Sequence, residues 1–345
     1  MKLVKTEDAV GQVLCHDITQ IIPGVVKDAV FRKGHIVTKE DIPVLLSVGK
    51  ENLYIWEKQE GMLHENEAAE ILRQICQGEH MHPSEVKEGK IELIADCEGV
   101  LKINTEKLNA VNNLGEMMIA SRHGNFPVKT GDKIAGTRII PLVIEEEKMQ
   151  KACEVAGKEP IFRILPYQKK KAGIVTTGSE VYYHRIEDKF TPVVIEKLKE
   201  CGVTEVKQIQ CNDDHEMITE AIQTLIEDGS DLIVCTGGMS VDPDDRTPLA
   251  IKNACMEVVT YGAPVLPGAM FMLAYCEKEG RQIPVMGLPG CVMYAKRTIF
   301  DLVLPRIMCD EKLHEKDFRL LGQGGLCLSC PVCTFPNCGF GKGGY

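Results

Sequence analysis

Aromatic residues are scarce, 5% of the chain with a single tryptophan, Trp56, and that scarcity leaves no stacking platform for single-stranded nucleic acid. Cations are outnumbered too: 40 Lys and Arg stand against 50 Asp and Glu, a formal net charge of −10. A surface with that balance does not neutralise a phosphate backbone. No apolar run approaches the ~20 residues of a membrane-spanning helix, and Met1 to Asp8 contain no apolar signal core. No nucleic-acid or membrane partner is therefore expected, and the expected location is the cytoplasm. Two nucleotide fingerprints are also missing, Gly-x-x-x-x-Gly-Lys-Ser/Thr and Gly-x-Gly-x-x-Gly. Their absence argues against a P-loop nucleotidase and a common dinucleotide dehydrogenase.

What the chain does have is length, cysteine and glycine turns. Its 345 residues, 44% of them hydrophobic, leave room for two or three domains with a sizeable core. Fifteen cysteines, an odd number, in a cytoplasmic chain read as thiols or metal ligands rather than a disulfide framework.

Residues 1–145 read as a β-rich accessory region with a helix. Short β-branched segments separated by Gly and Pro, at 8–14, 21–26 and 31–37, suggest a small β unit. Thr38 starts a helix that Gly49 stops, and 65–77 has the apolar spacing of an amphipathic helix. Strand-like patterning returns over 89–145. His80 and His82 lie two apart in a loop without a third ligand and read as a solvated turn, and His35 as a strand-edge histidine. Glu145 to Glu147, Pro160 and Pro166 bracket an expected linker over 146–168.

From 169 to 312 apolar strands alternate with amphipathic helices, the pattern of a three-layer α/β fold on a parallel sheet. The run Leu232 to Cys235 has the length and apolarity of a strand buried on both faces. It ends at Thr236-Gly237-Gly238-Met239-Ser240, followed by Asp242, Asp244, Asp245 and Arg246. Ligands bind open α/β sheets at such carboxyl ends. The plainer reading is that Asp244 or Thr247 caps the helix beginning near Pro248, the other acids being solvated. Two more strands end the same way, at Thr177-Gly178-Ser179-Glu180 and at Gly287-Leu288-Pro289-Gly290. In a parallel sheet the three turns fall on one edge, where backbone N–H groups are suited to phosphate or another oxyanion.

In this order, and with Pro267-Gly268 between the second and third turns, these segments resemble the molybdopterin-binding fold of molybdenum-cofactor biosynthesis, and most of all the molybdopterin molybdenumtransferases. The resemblance implies insertion of molybdate into adenylated molybdopterin, with release of AMP, at a divalent cation such as Mg²⁺. It places Glu180, Asp242 and Asp245 as catalytic and cation-holding acids, and Thr177, Gly178, Ser179, Thr236, Gly237, Gly238, Ser240, Arg246, Pro267, Gly268, Gly287, Pro289 and Gly290 at the pterin and its phosphate. It also implies a homodimer and a partner among molybdoenzymes or cofactor-pathway proteins. Family features differ here: Ser179 stands where the family has Asp, Ala269 where it has Lys after Pro-Gly, a second lysine a few positions on is also missing, and Cys291-Val292 stands where it has Asn-Pro. Arg246, Lys296 and Arg297 are the remaining nearby cations. Two readings stay open, a divergent molybdenumtransferase and a molybdopterin carrier or sensor that does not insert metal.

Residues 313–345 form a cysteine-rich tail. Cys327, Cys330, Cys333 and Cys338 follow the spacing Cys-x₂-Cys-x₂-Cys-x₄-Cys, which suits Zn²⁺ or an iron–sulfur cluster, the alternative being a flexible reduced tail. Cys235 and Cys201 read as small buried hydrophobes.

Overall fold

In the computed structural model, residues 2–22, 24, 26–55, 60–240 and 242–343 are described. Trp56 and parts of the 21–26 segment lie outside them. The chain divides into two units, Met1–Asp96 with Ile103–Arg122 and Thr130–Arg163, and Cys97–Lys102 with His123–Lys129 and Ile164–Tyr345.

The first unit is built on a four-stranded antiparallel sheet in the order Met81–Pro83, Ile91–Ala95, Lys133–Ile139, Met117–Ser121. The helix Glu65–Cys76 buries Ala68, Ala69 and Leu72. His64 and Glu67 start it with a reciprocal cap: His64 Nδ1 accepts from the Asn66 N–H at 3.2 Å, and the Glu67 carboxylate accepts from the His64 N–H at 2.9 Å. Nearer the N-terminus Leu14, Ile18, Val37, Leu45 and Leu53 form a separate small core. The segments expected as strands at 8–14 and 31–37 pair mainly through isolated bridges, Val13 with Ile36 and Leu14 with Ile55. Regular strands there are Ile18–Ile22 and Val26–Phe31. His35 Nε2 pairs with Asp41 at 2.6 Å, and His82 Nδ1 pairs with Asp96.

Within the first unit two helices lie where none was expected. Thr105–Asn112 is capped by the Asn104 side chain, which accepts from the Lys107 N–H at 3.0 Å. Glu146–Ala156 occupies the stretch expected as a linker, and a strand, Phe162–Pro166, comes after it. The acidic run that looked like linker composition is the first turn of that helix, where carboxylates complement the helix dipole. Met149, Ala152 and Ala156 supply its buried stripe.

In the second unit a six-stranded sheet sits between helices on both faces. Its strands are β1 (Lys171–Thr177), β2 (Glu205–Cys211), β3 (Leu232–Thr236), β4 (Glu257–Tyr261), β5 (Met272–Lys278) and β6 (Arg281–Leu288). Helices α1 (Phe190–Glu200), α2 (His215–Glu227), α3 (Thr247–Ala254) and α4 (Ile299–Met308) cover it. The spatial order is β2-β1-β3-β6-β5-β4. Alternation along each strand makes the layers: Leu232 and Val234 enter the core with Val194 and Leu198 of α1 and Phe300 and Val303 of α4. Ile233 and Cys235 enter the opposite core with Ile218, Ile222 and Leu225 of α2 and Ile251 of α3. At about 1.5–3 kcal/mol for each fully buried aliphatic side chain, Leu232, Ile233 and Val234 make β3 one of several strands that anchor the sheet.

The sheet is mixed rather than wholly parallel. β2, β1, β3 and β6 run parallel, while β5 and β4 pair antiparallel at one side. Glu279 and Gly280, both at positive φ, make the two-residue turn that joins β5 to β6 as a hairpin. The tail packs on this unit. Phe318 is buried and stacks on Phe271 with ring centroids 5.9 Å apart, and Phe340 is buried in the same core.

Candidate functional site

Register places the glycine turns. Thr176 of β1 lies opposite Thr236 of β3, which lies opposite Leu288 of β6, so all three turns leave the sheet on one rim. Lys170 and Lys171 are at the opposite end, where they pair with Asp310 and Glu205.

The first two turns are locked together by hydroxyls. Thr177 Oγ1 donates to the Thr236 carbonyl at 3.1 Å and sits 3.1 Å from Thr247 Oγ1, which donates to the Gly237 carbonyl at 2.9 Å. Glycine at 237 is required by this closeness: its φ is +87°, and a Cβ would lie 2.4 Å from the Thr177 carbonyl oxygen. On the other face of β1 the hydroxyls of Thr176 and Thr191, 2.8 Å apart, meet Gln208 and Asp188. Burial pushes the Asp188 carboxyl up, but hydrogen bonds from Thr191, Phe190 and Gln208 outweigh it and hold the group below its ordinary value. Thr236 Oγ1 is buried and has no hydrogen-bond partner among the described residues.

The acidic loop folds onto itself. Asp245 Oδ2 accepts from the Ser240 N–H at 2.7 Å, and Asp242 Oδ1 accepts from the Asp244 N–H at 3.2 Å. Thr247, not Asp244, ties the loop to the helix start. The Ser179 N–H donates to Asp213 at 2.8 Å, so an acid already occupies that amide.

A pocket of about 840 Å³ opens on the rim, bordered by Gly237, Gly238, Ser240, Asp245, Pro267, Gly268, Pro289 and Gly290 together with Met239, Met270, Met293 and Tyr294. Thr177, Gly178, Ser179, Glu180, Thr236, Asp242, Arg246 and Gly287 are not among its lining residues. Asp245 is its one charged lining side chain among the described residues. None of the three nearby cations lines it. Arg297 is bound to Glu200 at 2.6 Å and Asp301 at 2.8 Å, Lys296 Nζ donates to the Pro331 carbonyl at 3.0 Å, and Arg246 is exposed outside the pocket. Leu326 and Cys327 of the tail complete the wall, which no sequence signal foretold.

Glu180, Asp242 and Asp245 do not gather around a cation. The Glu180 carboxylate lies against Gly178, where a Cβ would stand 3.1 Å from Oε1, and the other two carboxylates each hold a loop amide. Among the described residues no three His, Cys, Asp or Glu side chains converge on one point. That holds for the tail cysteines as well. The chain's acids therefore do not fit a preformed Mg²⁺ site.

Residues 173–308 match the family described as probable molybdopterin binding domain. Over these residues the α/β unit is similar to the molybdopterin-binding domains of molybdenum-cofactor biosynthesis. Residues 3–57 match a second family, described as a domain of unknown function (DUF8806). A CinA-like protein of Mycobacterium tuberculosis is 35% identical over 85 residues, 25% of this chain and 20% of that protein. A CinA-like protein of Mycobacterium avium is 34% identical over 95 residues, 28% of this chain and 22% of that protein. The chain thus spans about a fifth of the length of the curated relatives it matches. Among solved structures, MoaB of Pyrococcus furiosus, described as a tungsten cofactor synthesizing protein, is 23% identical, covering 36% of this chain and 84% of that one with a TM-score of 0.32. The molybdopterin biosynthesis Mog protein of Mycobacterium ulcerans is 19% identical, covering 40% and 92% with a TM-score of 0.32. The likeness to the molybdopterin-binding domain rests on the match over 173–308. No described helix is long and apolar enough to cross a membrane.

Proposed function

We propose that the rim pocket binds molybdopterin, with the backbone amides of 237–239 and 290–291 toward the phosphate and the apolar walls around the pterin. The observation that carries this reading is the register of β1, β3 and β6, which lines up glycine-ended strands beside a pocket of about 840 Å³. Its walls divide the work by chemistry. Methionine and tyrosine side chains can sandwich a flat heterocycle and exclude water. Asp245 accepts hydrogen bonds and cannot donate them when ionised, so it suits the amino and ring N–H edge of a pterin rather than a phosphate. Ser240, whose amide Asp245 holds, is fixed in place to offer its hydroxyl.

Once the pterin is bound, two fates differ in their chemistry. Insertion of molybdate into the adenylated pterin, with AMP as the leaving group, draws on the acids Asp242 and Asp245 lying in one loop beside the second turn. A carrier or sensor that holds the pterin without inserting metal draws on the absence of any basic side chain among the described lining residues. The lining favours the carrier, because a cleaved phosphoanhydride builds up negative charge that this pocket meets with a carboxylate. Molybdate-dependent AMP release from adenylated molybdopterin, monitored with the purified chain and Mg²⁺, separates them. Pterin binding without AMP release above background supports the carrier, and AMP release at catalytic turnover overturns it. Dimer formation is part of the same proposal and is read by light scattering of the intact chain.

A further inference from the structure

The tail carries a spacing that pterin binding does not use. Cys327, Cys330, Cys333 and Cys338 all line one cavity of about 610 Å³. All four are free thiols. Their positions are set by the rest of the domain. The Leu266 N–H donates to the Gly325 carbonyl at 2.8 Å, and the Cys327 N–H returns to the Leu266 carbonyl at 2.8 Å. Further on, Lys296 Nζ donates to the Pro331 carbonyl at 3.0 Å, and the Arg297 guanidinium lies over the Phe335 ring at 5.2 Å. Phe335 and Phe340 pack with ring centroids 6.3 Å apart. Hydrogen bonds and aromatic packing thus arrange four free thiols around one cavity.

The geometry discriminates between occupants. One tetrahedral zinc draws four sulfurs to about 2.3 Å from a single point, and no three of these side chains converge that way. A cuboidal cluster instead takes one thiolate at each corner, leaving the four sulfurs spread around a body larger than an ion. Four thiolates would concentrate negative charge, and Lys296, which has no carboxylate partner among the described residues and lines the same cavity, is placed to offset part of it. We propose that Cys327, Cys330, Cys333 and Cys338 ligate a [4Fe–4S] cluster. Each thiol gives up its proton to solvent as its sulfur binds one iron; the protein itself is neither oxidised nor reduced. Cys327 also borders the rim pocket, so the cluster would form part of the wall next to the pterin. The proposal stands apart from the pterin reading, since it is tested with no pterin present.

The test is anaerobic reconstitution of the full chain with ferric iron, sulfide and dithiothreitol, and then metal and sulfide analysis. About four iron and four acid-labile sulfide per chain are expected, with a broad visible absorption that bleaches on dithionite reduction. Cys330→Ser and Cys333→Ser change exposed residues, so these variants keep the wild-type circular dichroism while losing at least half of the iron. Cys153→Ser, at an exposed cysteine of the other unit, keeps the full complement. A colourless protein that takes up one zinc per chain and no iron overturns the proposal. So does iron content unchanged in both tail variants.

Discussion

Gly290 and Gly237 both border the rim pocket, and they answer to an added side chain in opposite ways. At Gly290 a Cβ meets no heavy atom within 4 Å and the backbone is outside the left-handed region. Gly290→Leu therefore leaves the domain's stability within about 0.5 kcal/mol, while its side chain extends from the pocket wall into space a ligand would use. A loss of pterin affinity of at least about tenfold, ~1.4 kcal/mol, is expected. At Gly237 the φ of +87° costs an L-residue ~1–2 kcal/mol. A Cβ there also meets the Thr177 carbonyl oxygen at 2.4 Å and Thr177 Oγ1 at 2.8 Å, overpacking that costs another ~1–3 kcal/mol. Together Gly237→Ala destabilises the domain by about 2–5 kcal/mol, a fall of roughly 2–4 °C in its melting temperature per kcal/mol. Thermal melts of both variants, paired with molybdopterin titration by pterin fluorescence, check the two halves. A Gly290→Leu variant that binds like wild type, or a Gly237→Ala variant that melts with wild type, refutes the reasoning.

Thr247→Val removes the hydroxyl that donates to the Gly237 carbonyl at 2.9 Å and should lower stability by about 1–2 kcal/mol in urea unfolding. Unchanged stability would show that the hydroxyl lock between the turns contributes nothing. Lys197 Nζ sits buried 2.7 Å from Asp301, so Lys197→Met strands a carboxylate. The cost expected in the same assay is near the lower end of about 3–5 kcal/mol, because Arg297 still reaches Asp301 at 2.8 Å. The domain should also weaken in acid. Burial raises the Glu311 and Asp317 carboxyls, yet Arg306 and Lys102 overcome it for Glu311, and the His314 amide and Arg306 do so for Asp317, leaving both depressed, as Asp188 is. A depressed carboxyl adds stability above its unfolded value of about 4 and loses it as pH falls through the folded value. Urea midpoints should therefore drop between pH 6 and pH 3, and a flat profile would contradict the ion-pair assignment.

The α/β half was legible because its signals are local. A four-residue apolar run with both faces buried has few alternatives, and helix α3 begins at the hydroxyl-proline pair Thr247-Pro248 where a start was expected. Strand β5 was harder to read, since Met272 to Cys276 is apolar throughout and its direction is set by the Glu279-Gly280 turn. Glu145 to Glu147 misled in the other direction, acidic residues at a helix start passing for linker. The rim motifs are visible as strings, but what their side chains do is not. Thr177 is spent on the Thr236 carbonyl, Asp213 holds the Ser179 amide from 34 residues away, and the tail returns to close the pocket with Leu326 and Cys327. Such partners come from tertiary contact, which spacing along the chain does not encode. The buried thiols reflect their apolar surroundings, burial pushing Cys211 up to about 11 and Cys201 up to about 12, as expected of cysteines that pack rather than react.

Amide hydrogen exchange of the intact chain with and without molybdopterin tests the rim most directly. Binding there predicts slowed exchange confined to 237–240 and 290–293, with the Lys171 end of the sheet unchanged. Saturating pterin that leaves those segments unprotected, or protects a different face, would contradict the account.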